Sequence, residues 1–157
     1  MEDLVTCERP MPPRAGLQDA ALKVLVTGAD GFIGSVMTPM LRQHDFAVTG
    51  LDTGYYRAGL LYHDGEDRPV TLTRDIRTLT ATDLEGFDAV VHLAELSNDP
   101  LCQHDPKKTI EINHLGSVAL AKAAKEAGVS RFVYASSCSI YGVAGDEAKT
   151  EESATHP

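Results

Sequence analysis

The amino-acid sequence predicts an α/β fold, a doubly wound parallel sheet truncated after about five strands. From Ala21 onward, short β-branched runs alternate with segments of helical periodicity. Right-handed crossovers between such strands place helices on both faces of a parallel sheet. A glycine-rich turn separates the first strand from the first helix, and no internal repeat of solenoid length is present.

Residues 1–20 read as a disordered N-terminal tail. Pro10, Pro12 and Pro13 interrupt any helix there, and the few apolar residues between Met1 and Asp19 keep no steady period. The remainder, 21–157, reads as one domain. Leu22 to Thr27 is a short strand that ends at glycine, and Phe32 to His44 has the pattern of a helix. Pro39 lies beyond the first turn of that helix, where it either kinks the helix or marks its end. Phe46 to Leu51 is the next strand. A polar loop from Thr53 to Pro69, broken by Gly54, Gly59 and Gly65, leads to a third strand over Val70 to Thr73. Leu79 to Leu84 reads as a brief helix and Asp88 to Ala94 as a fourth strand. Asp105 and Pro106 form an N-cap and first-turn pair. The helix that follows carries Ile112, Leu115, Gly116, Ala119, Ala123 and Ala127 on one face, and Gly128 stands where a left-handed C-terminal cap belongs. Arg131 to Ala135 is the fifth strand.

Bulk properties exclude several functions. A chain of 157 residues can bury one core but hardly two, and 43% hydrophobic with 24% charged residues is an ordinary globular composition. Asp and Glu outnumber Lys and Arg by 23 to 14, a formal net charge of −9. Such a field repels phosphate backbones and anionic lipid headgroups, so neither nucleic acid nor a membrane is expected as a partner. Cys7, Cys102 and Cys138 are odd in number and contain no C-x-x-C pair, which suits a reducing compartment and suggests no disulfide framework. No apolar stretch approaches the ~20 residues of a membrane span, and the acidic, proline-containing N-terminus is unlike a signal peptide. The cytoplasm is the expected compartment. No metal site is expected either, because His92 has no second histidine or carboxylate at metal spacing.

The strongest chemical signal is Thr27-Gly28-Ala29-Asp30-Gly31-Phe32-Ile33-Gly34. Gly28 permits a tight turn, Gly31 lets the backbone approach a pyrophosphate, and Gly34 allows close packing of the helix. The amides of Phe32 and Ile33 then open a helix N-terminus, where unpaired N–H groups and the helix dipole favour phosphate. The context is that of a Rossmann-type dinucleotide site: strand before, helix after, and Asp52 at the end of the next strand. A carboxylate there accepts hydrogen bonds from an adenosine ribose and repels a 2′-phosphate, so NAD is expected rather than NADP. Arg57 works against that preference, since a nearby guanidinium can accommodate the phosphate. A methyltransferase also has a glycine loop after a strand, but the Thr27 start and the glycine spacing disfavour it.

Beyond the glycine turn, the order of Asp52, Asp75-Ile76, His92-Leu93-Ala94, Asn113 with Gly116, and Ser136-Ser137-Cys138-Ser139-Ile140-Tyr141-Gly142 resembles the extended short-chain dehydrogenase/reductase family of NAD-dependent nucleotide-sugar epimerases and dehydratases. The resemblance implies that Asp75 and Ile76 hold the adenine and that Leu93 and Ala94 line the cofactor groove. It implies that Ser137 is the catalytic hydroxyl that hydrogen-bonds the reacting sugar, and that Asn113 joins a helix to a neighbouring strand. From the residues alone, Asp75 serves equally well as a helix cap, and Ser136 and Ser137 as strand-end hydroxyls satisfying backbone groups. Cys138 reads as a small buried residue and His92 as a satisfied strand histidine. Glu95 stands where the family has a small neutral residue, and an acid there repels phosphate.

The resemblance further implies a Tyr-x-x-x-Lys pair, one helical face apart, in which the lysine and oxidised nicotinamide lower the tyrosine pKa from ~10 so that it acts as a base. Four residues after Tyr55, Tyr56, Tyr62, Tyr134 and Tyr141 stand Gly59, Leu60, Glu66, Cys138 and Gly145, so the pair is absent from these 157 residues. The sequence therefore reads as the incomplete NAD-binding domain of an oxidoreductase-like isomerase or dehydratase, without its C-terminal substrate domain. By itself it is expected to be inactive and, with an open strand edge and uncovered apolar surface, to self-associate or to be only marginally stable. The other reading is a non-catalytic dinucleotide sensor of the same fold.

Overall fold

Strand β1 (Lys23–Thr27) lies at the centre of a five-stranded parallel sheet. It is flanked by β2 (Ala47–Asp52) and β4 (Ala89–His92), with β3 (Thr71–Thr73) and β5 (Arg131–Tyr134) outside them in the order β3-β2-β1-β4-β5. The computed structural model describes residues 21–59, 69–143 and 148–156; the tail at 1–20 and part of the Thr53–Pro69 loop lie outside them. Leu25 pairs with Thr49 on one side and Val90 on the other, so β1 is covered on both edges. That position explains its uninterrupted apolar run, since a central parallel strand is buried on both faces.

Among the described residues, the helices between the strands are α1 (Phe32–Gln43), α2 (Ala81–Leu84), α3 (Asp99–His104), α4 (Pro106–Thr109) and α5 (Ser117–Glu126). The main core lies between the sheet and α5, where Leu25, Leu51, Leu84, Val90 and Leu120 cluster. Helix α1 packs against β1 and β2. It runs on through Pro39 to Gln43, so the proline does not end it. Pro39 has no N–H to donate to the Ser35 carbonyl, and the helix tolerates that one missing bond.

One sequence expectation needs correction here, and one helix was not anticipated. The segment Ile110–Gly116 is a π-helical turn rather than a continuation of α4. Its i→i+5 bonding adds a residue to the turn and rotates the following face. Gly116, Leu120, Ala123 and Ala124 are therefore the buried positions, while Leu115 and Ala119 point to solvent. The stretch before Asp105 also holds a helix, α3, capped by the Asn98 side chain, which accepts from the Leu101 N–H. Asp105 caps α4 as expected, accepting from the Lys108 N–H at 2.9 Å. Gly128, at φ +78°, follows α5 in the left-handed conformation that ends it.

This topology creates a switch point: the chain leaves β1 toward β2 on one side, and β4 sits on the other. In open α/β sheets the crevice at the carboxyl ends of such strands receives ligands. At the far edge, β5 pairs only with β4 among the described residues, and Phe132, Val133 and Tyr134 are all exposed. Among the described residues no helix is long and apolar enough to cross a membrane.

Candidate functional site

The turn after β1 is held at the carboxyl ends of three strands. Gly28 takes φ +72°, and its N–H donates to Leu51 O at 2.8 Å. A Cβ on Gly28 would stand 2.8 Å from Leu93 C and from Ala94 N, so only glycine fits between the ends of β1 and β4. Gly34 is needed for packing: a Cβ there would lie 2.1 Å from Gly28 O. The contact is thus helix against turn, within the glycine motif itself.

Gly31 is the N-cap of α1 in extended backbone, with no side-chain cap and no acidic residue in the first turn. The first N–H groups of a helix have no partners inside it, and they carry partial positive charge. Those of α1 open on a cleft of about 480 Å³. Gly28, Gly31, Phe32, Ile33 and Gly34 line this cleft from the turn and α1. Asp52, Asp75 and Ile76 line it beyond β2 and β3, and Leu93 and Ala94 at the end of β4. Ser137 joins them from the loop after β5, so the topology gathers all the residues assigned from sequence around one space.

Asp52 is fixed by backbone donors. Its carboxylate accepts from the Gly54 N–H at 2.7 Å and from the Asp30 N–H at 3.1 Å. The Asp30 side chain, only 5% exposed, takes the Arg57 guanidinium at 2.8 Å. The two outer guanidinium nitrogens both donate to Thr73 Oγ1 at 3.2 Å. Asp75 caps the 3₁₀ turn Ile76–Thr78 and also lies on the cleft, so its capping and lining positions coincide. The Arg77 guanidinium, paired with it at 2.6 Å, holds its carboxyl below the usual range. Arg74 lines the cleft too, and its guanidinium pairs with Asp83.

The floor beneath Leu93 is a polar bridge. His92, fully buried, contacts Thr27 Oγ1 through Nδ1 and Ser117 Oγ through Nε2, each at 2.7 Å. Both ring nitrogens are engaged within the protein, as expected of a structural strand histidine. Burial pushes its pKa down to about 4, so the ring is neutral near pH 7. Asn113 spans the loop beside it: its Oδ1 accepts from the Leu96 N–H at 2.8 Å and its Nδ2 donates to Leu96 O at 2.9 Å. The π-helical turn thus carries the residue that ties the helices to the loop after β4.

Glu95 reaches the cleft and accepts a hydrogen bond from the Tyr134 hydroxyl at 2.5 Å. Donation to a carboxylate, with partial burial, pushes the tyrosine pKa up to about 12. Tyr134 is therefore a protonated donor at neutral pH. Ser137 caps the 3₁₀ turn Cys138–Tyr141; its Oγ accepts from the Ser139 N–H at 3.2 Å and donates to Ser139 Oγ at 3.0 Å. Cys102 and Cys138 are free thiols, and Cys138 is exposed rather than buried as the sequence suggested. It sits in a turn outside the core, where no packing covers it.

Tyr55, Tyr56 and Arg74 also line the cleft and were not picked out from sequence. Tyr55 and Tyr56 follow Asp52 closely, and an aromatic pair directly after the acid of a dinucleotide motif was the available signal. The Asp30–Arg57 ion pair had none, because it joins positions 27 residues apart.

Comparison with known proteins agrees with this geometry. The model of the NAD dependent epimerase/dehydratase family matches residues 24–157. The protein CapI of Staphylococcus aureus is 27% identical over 151 residues, covering 87% of this chain and 44% of the relative. A UDP-glucose 4-epimerase of Mycolicibacterium smegmatis is 32% identical over 145 residues, covering 87% of this chain and 45% of the enzyme. Among solved structures, the dTDP-glucose 4,6-dehydratase DesIV of Streptomyces venezuelae, with NAD and TYD bound, superposes with a TM-score of 0.76 at 33% identity. That match covers 87% of this chain and 46% of DesIV. The chain thus spans a little under half the length of the relatives it matches. With motif order, sheet topology and family model in agreement, the chain belongs to the NAD-dependent epimerase/dehydratase family.

Proposed function

We propose that this chain is the NAD-binding part of a nucleotide-sugar epimerase or dehydratase and is inactive by itself. The observation that carries the reading is one cleft shared by the uncapped N-terminus of α1, the Asp52 carboxylate and Ser137. These residues fit a dinucleotide: a glycine turn brings bare backbone to the cleft, helix amides suit a pyrophosphate, and a fixed carboxylate suits a ribose diol. When bound, NAD supplies the acceptor for a hydride leaving the sugar. Asp75 and Ile76 bind the adenine, Leu93 and Ala94 bound the groove, and Ser137 hydrogen-bonds the reacting hydroxyl. A serine alone does not remove the proton that must leave as the hydride does, and these 157 residues contain no Tyr-x-x-x-Lys pair. The expected partners are NAD and, in the complete enzyme, a nucleotide sugar, in the cytoplasm.

Calorimetric titration with NAD and NADP tests the reading. NAD is expected to bind more tightly than NADP, and Asp52→Ala to weaken NAD about tenfold to a hundredfold, the worth of hydrogen bonds to a charged group. Steady-state conversion of a nucleotide sugar by the purified chain would refute inactivity. Failure of both dinucleotides to bind would refute the site.

The exposed β5 edge supports a further expectation. Among the described residues the outer edge of β5, beside Phe132, Val133 and Tyr134, pairs with no strand, and such an edge is a template for pairing with another chain. On α1, Phe32, Val36 and Met40 follow at a spacing of four and are also exposed. Sedimentation should therefore show concentration-dependent association, and a monomer at all concentrations would contradict it.

A further inference from the structure

The sequence sets two opposed groups near the ribose, Asp52 favouring NAD and Arg57 able to attract a 2′-phosphate. Asp30 connects them. Its backbone N–H donates to Asp52 Oδ2 at 3.1 Å, and its own Oδ2 takes Arg57 Nε at 2.8 Å. Arg57 packs over Gly54, where a Cβ would meet its Cζ at 3.4 Å, and Gly54 in turn donates to Asp52. The guanidinium is therefore within the same loop system as the ribose-binding carboxylate, and its nitrogens are committed to Asp30 and Thr73.

We propose that Asp30 is a specificity-determining residue that withholds Arg57 from the 2′ position of the bound adenosine and so keeps the chain selective for NAD. The proposal rests on the dinucleotide reading above. A 2′-phosphate would have to draw Arg57 away from Asp30, and that carboxylate is almost fully buried. Drawing the half-exposed Arg57 guanidinium off this buried carboxylate gives up a charge-assisted hydrogen bond, and the loss is larger than for a pair exposed at both ends. A phosphate at the ribose would also face the Asp52 carboxylate directly. With the Asp30 side chain removed, the guanidinium keeps only its two contacts to the neutral Thr73 hydroxyl, which a phosphate dianion outcompetes.

The test is titration of the whole chain with NAD and with NADP, in the wild type and in Asp30→Ala, Asp30→Asn, Arg57→Ala and the Asp30→Ala/Arg57→Ala double variant. Asp30→Ala is expected to raise the NADP-to-NAD affinity ratio about tenfold, the scale of one charge-assisted contact. The double variant should return the ratio to the wild-type value, and Arg57→Ala alone should leave it nearly unchanged. Damage to the turn would weaken both dinucleotides and leave their ratio alone, so the ratio reports the role of Asp30. Asp30→Asn keeps the side-chain volume and should move the ratio in the same direction if the alanine variant does not fold. An unchanged ratio in folded Asp30 variants, or a raised ratio that persists in the double variant, overturns the proposal while NAD binding stands. Loss of all dinucleotide binding in the wild type overturns the site reading, and the proposal with it.

Discussion

Replacing Gly34 with alanine is expected to eliminate measurable NAD binding and to lower stability by about 2–3 kcal/mol, the upper range for overpacking a fitted site. The added Cβ would lie 2.1 Å from Gly28 O and 2.8 Å from Ala29 Cα. Both are backbone atoms of the turn, so no side-chain rotation relieves the overlap. Either α1 moves outward or the turn opens, and each change displaces the helix N–H groups from the cleft they line. A helix-terminus phosphate site depends on those groups converging within hydrogen-bond reach, and loses its charge-assisted contacts together when they diverge. Binding should therefore fall at least about a hundredfold. Gly86→Ala is the matched control. Its Cβ meets nothing within 4 Å, and its φ of +83° makes alanine strained there, so it tests a backbone penalty away from the cleft. Denaturant unfolding should show destabilisation in both variants, and calorimetry should show lost NAD affinity in Gly34→Ala alone. Undiminished NAD affinity in a folded Gly34→Ala protein would mean that the dinucleotide does not rest on this helix end.

The Gly34 contact marks how far the sequence alone could be read. Its packing role was legible from the spacing of three glycines between a strand and a helix. That it packs on the turn's own carbonyl was not, because the path of a loop does not follow from periodicity. The central strands were legible for a related reason: β1 is buried from Val24 to Thr27 and β4 at Val90 and His92, so each carries a β-branched run that ends at recognisable punctuation. The π-helical turn at Ile110–Gly116 was hidden, since its apolar residues also fit a regular helix of period 3.6, and only tertiary packing shows which turn takes the extra residue. Helix α3 was missed although Asn98 and Pro100 carry the same cap-and-proline signal as Asp105 and Pro106; its six residues leave too little periodicity to register. Of the residues that line the cleft, those in motifs were nameable from sequence because each is tied to a position along the chain. Asp30 with Arg57 and Glu95 with Tyr134 were not, because they are joined only by the fold.

Stability should fall as the solution is acidified from neutral pH, and His92 should account for most of the fall above the carboxylate range. Its pKa is held at about 4 in the fold against an ordinary value of 6.5. The unfolded chain therefore takes up a proton at this position before the folded protein does, and acid favours unfolding. The effect begins as pH drops through the unfolded value and is complete below the folded one. The whole difference corresponds to about 3 kcal/mol, of which about 2 kcal/mol is lost between about pH 7 and about pH 4.5. Asp75, Asp83 and Glu111 have lowered pKa values, so their pairing contributes stability that is lost at still lower pH. The two windows are thus largely separate. Urea unfolding of the wild type and His92→Gln, a neutral side chain that can still hydrogen-bond, isolates the histidine: the variant should lack the loss between neutrality and about pH 4.5. Equal pH dependence in both proteins would show that His92 is not the acid-sensitive group. The same proton bears on the cleft. Thr27 Oγ1, the partner of His92 Nδ1, also accepts from the Ala94 N–H at 3.4 Å, and Ala94 lines the space assigned to NAD. A charged imidazole has two N–H donors, and Nδ1 can then only donate to the Thr27 hydroxyl. Protonation therefore places a charge in the sheet beneath the cofactor groove, and NAD affinity should decline over the same pH interval in the wild type while holding in His92→Gln.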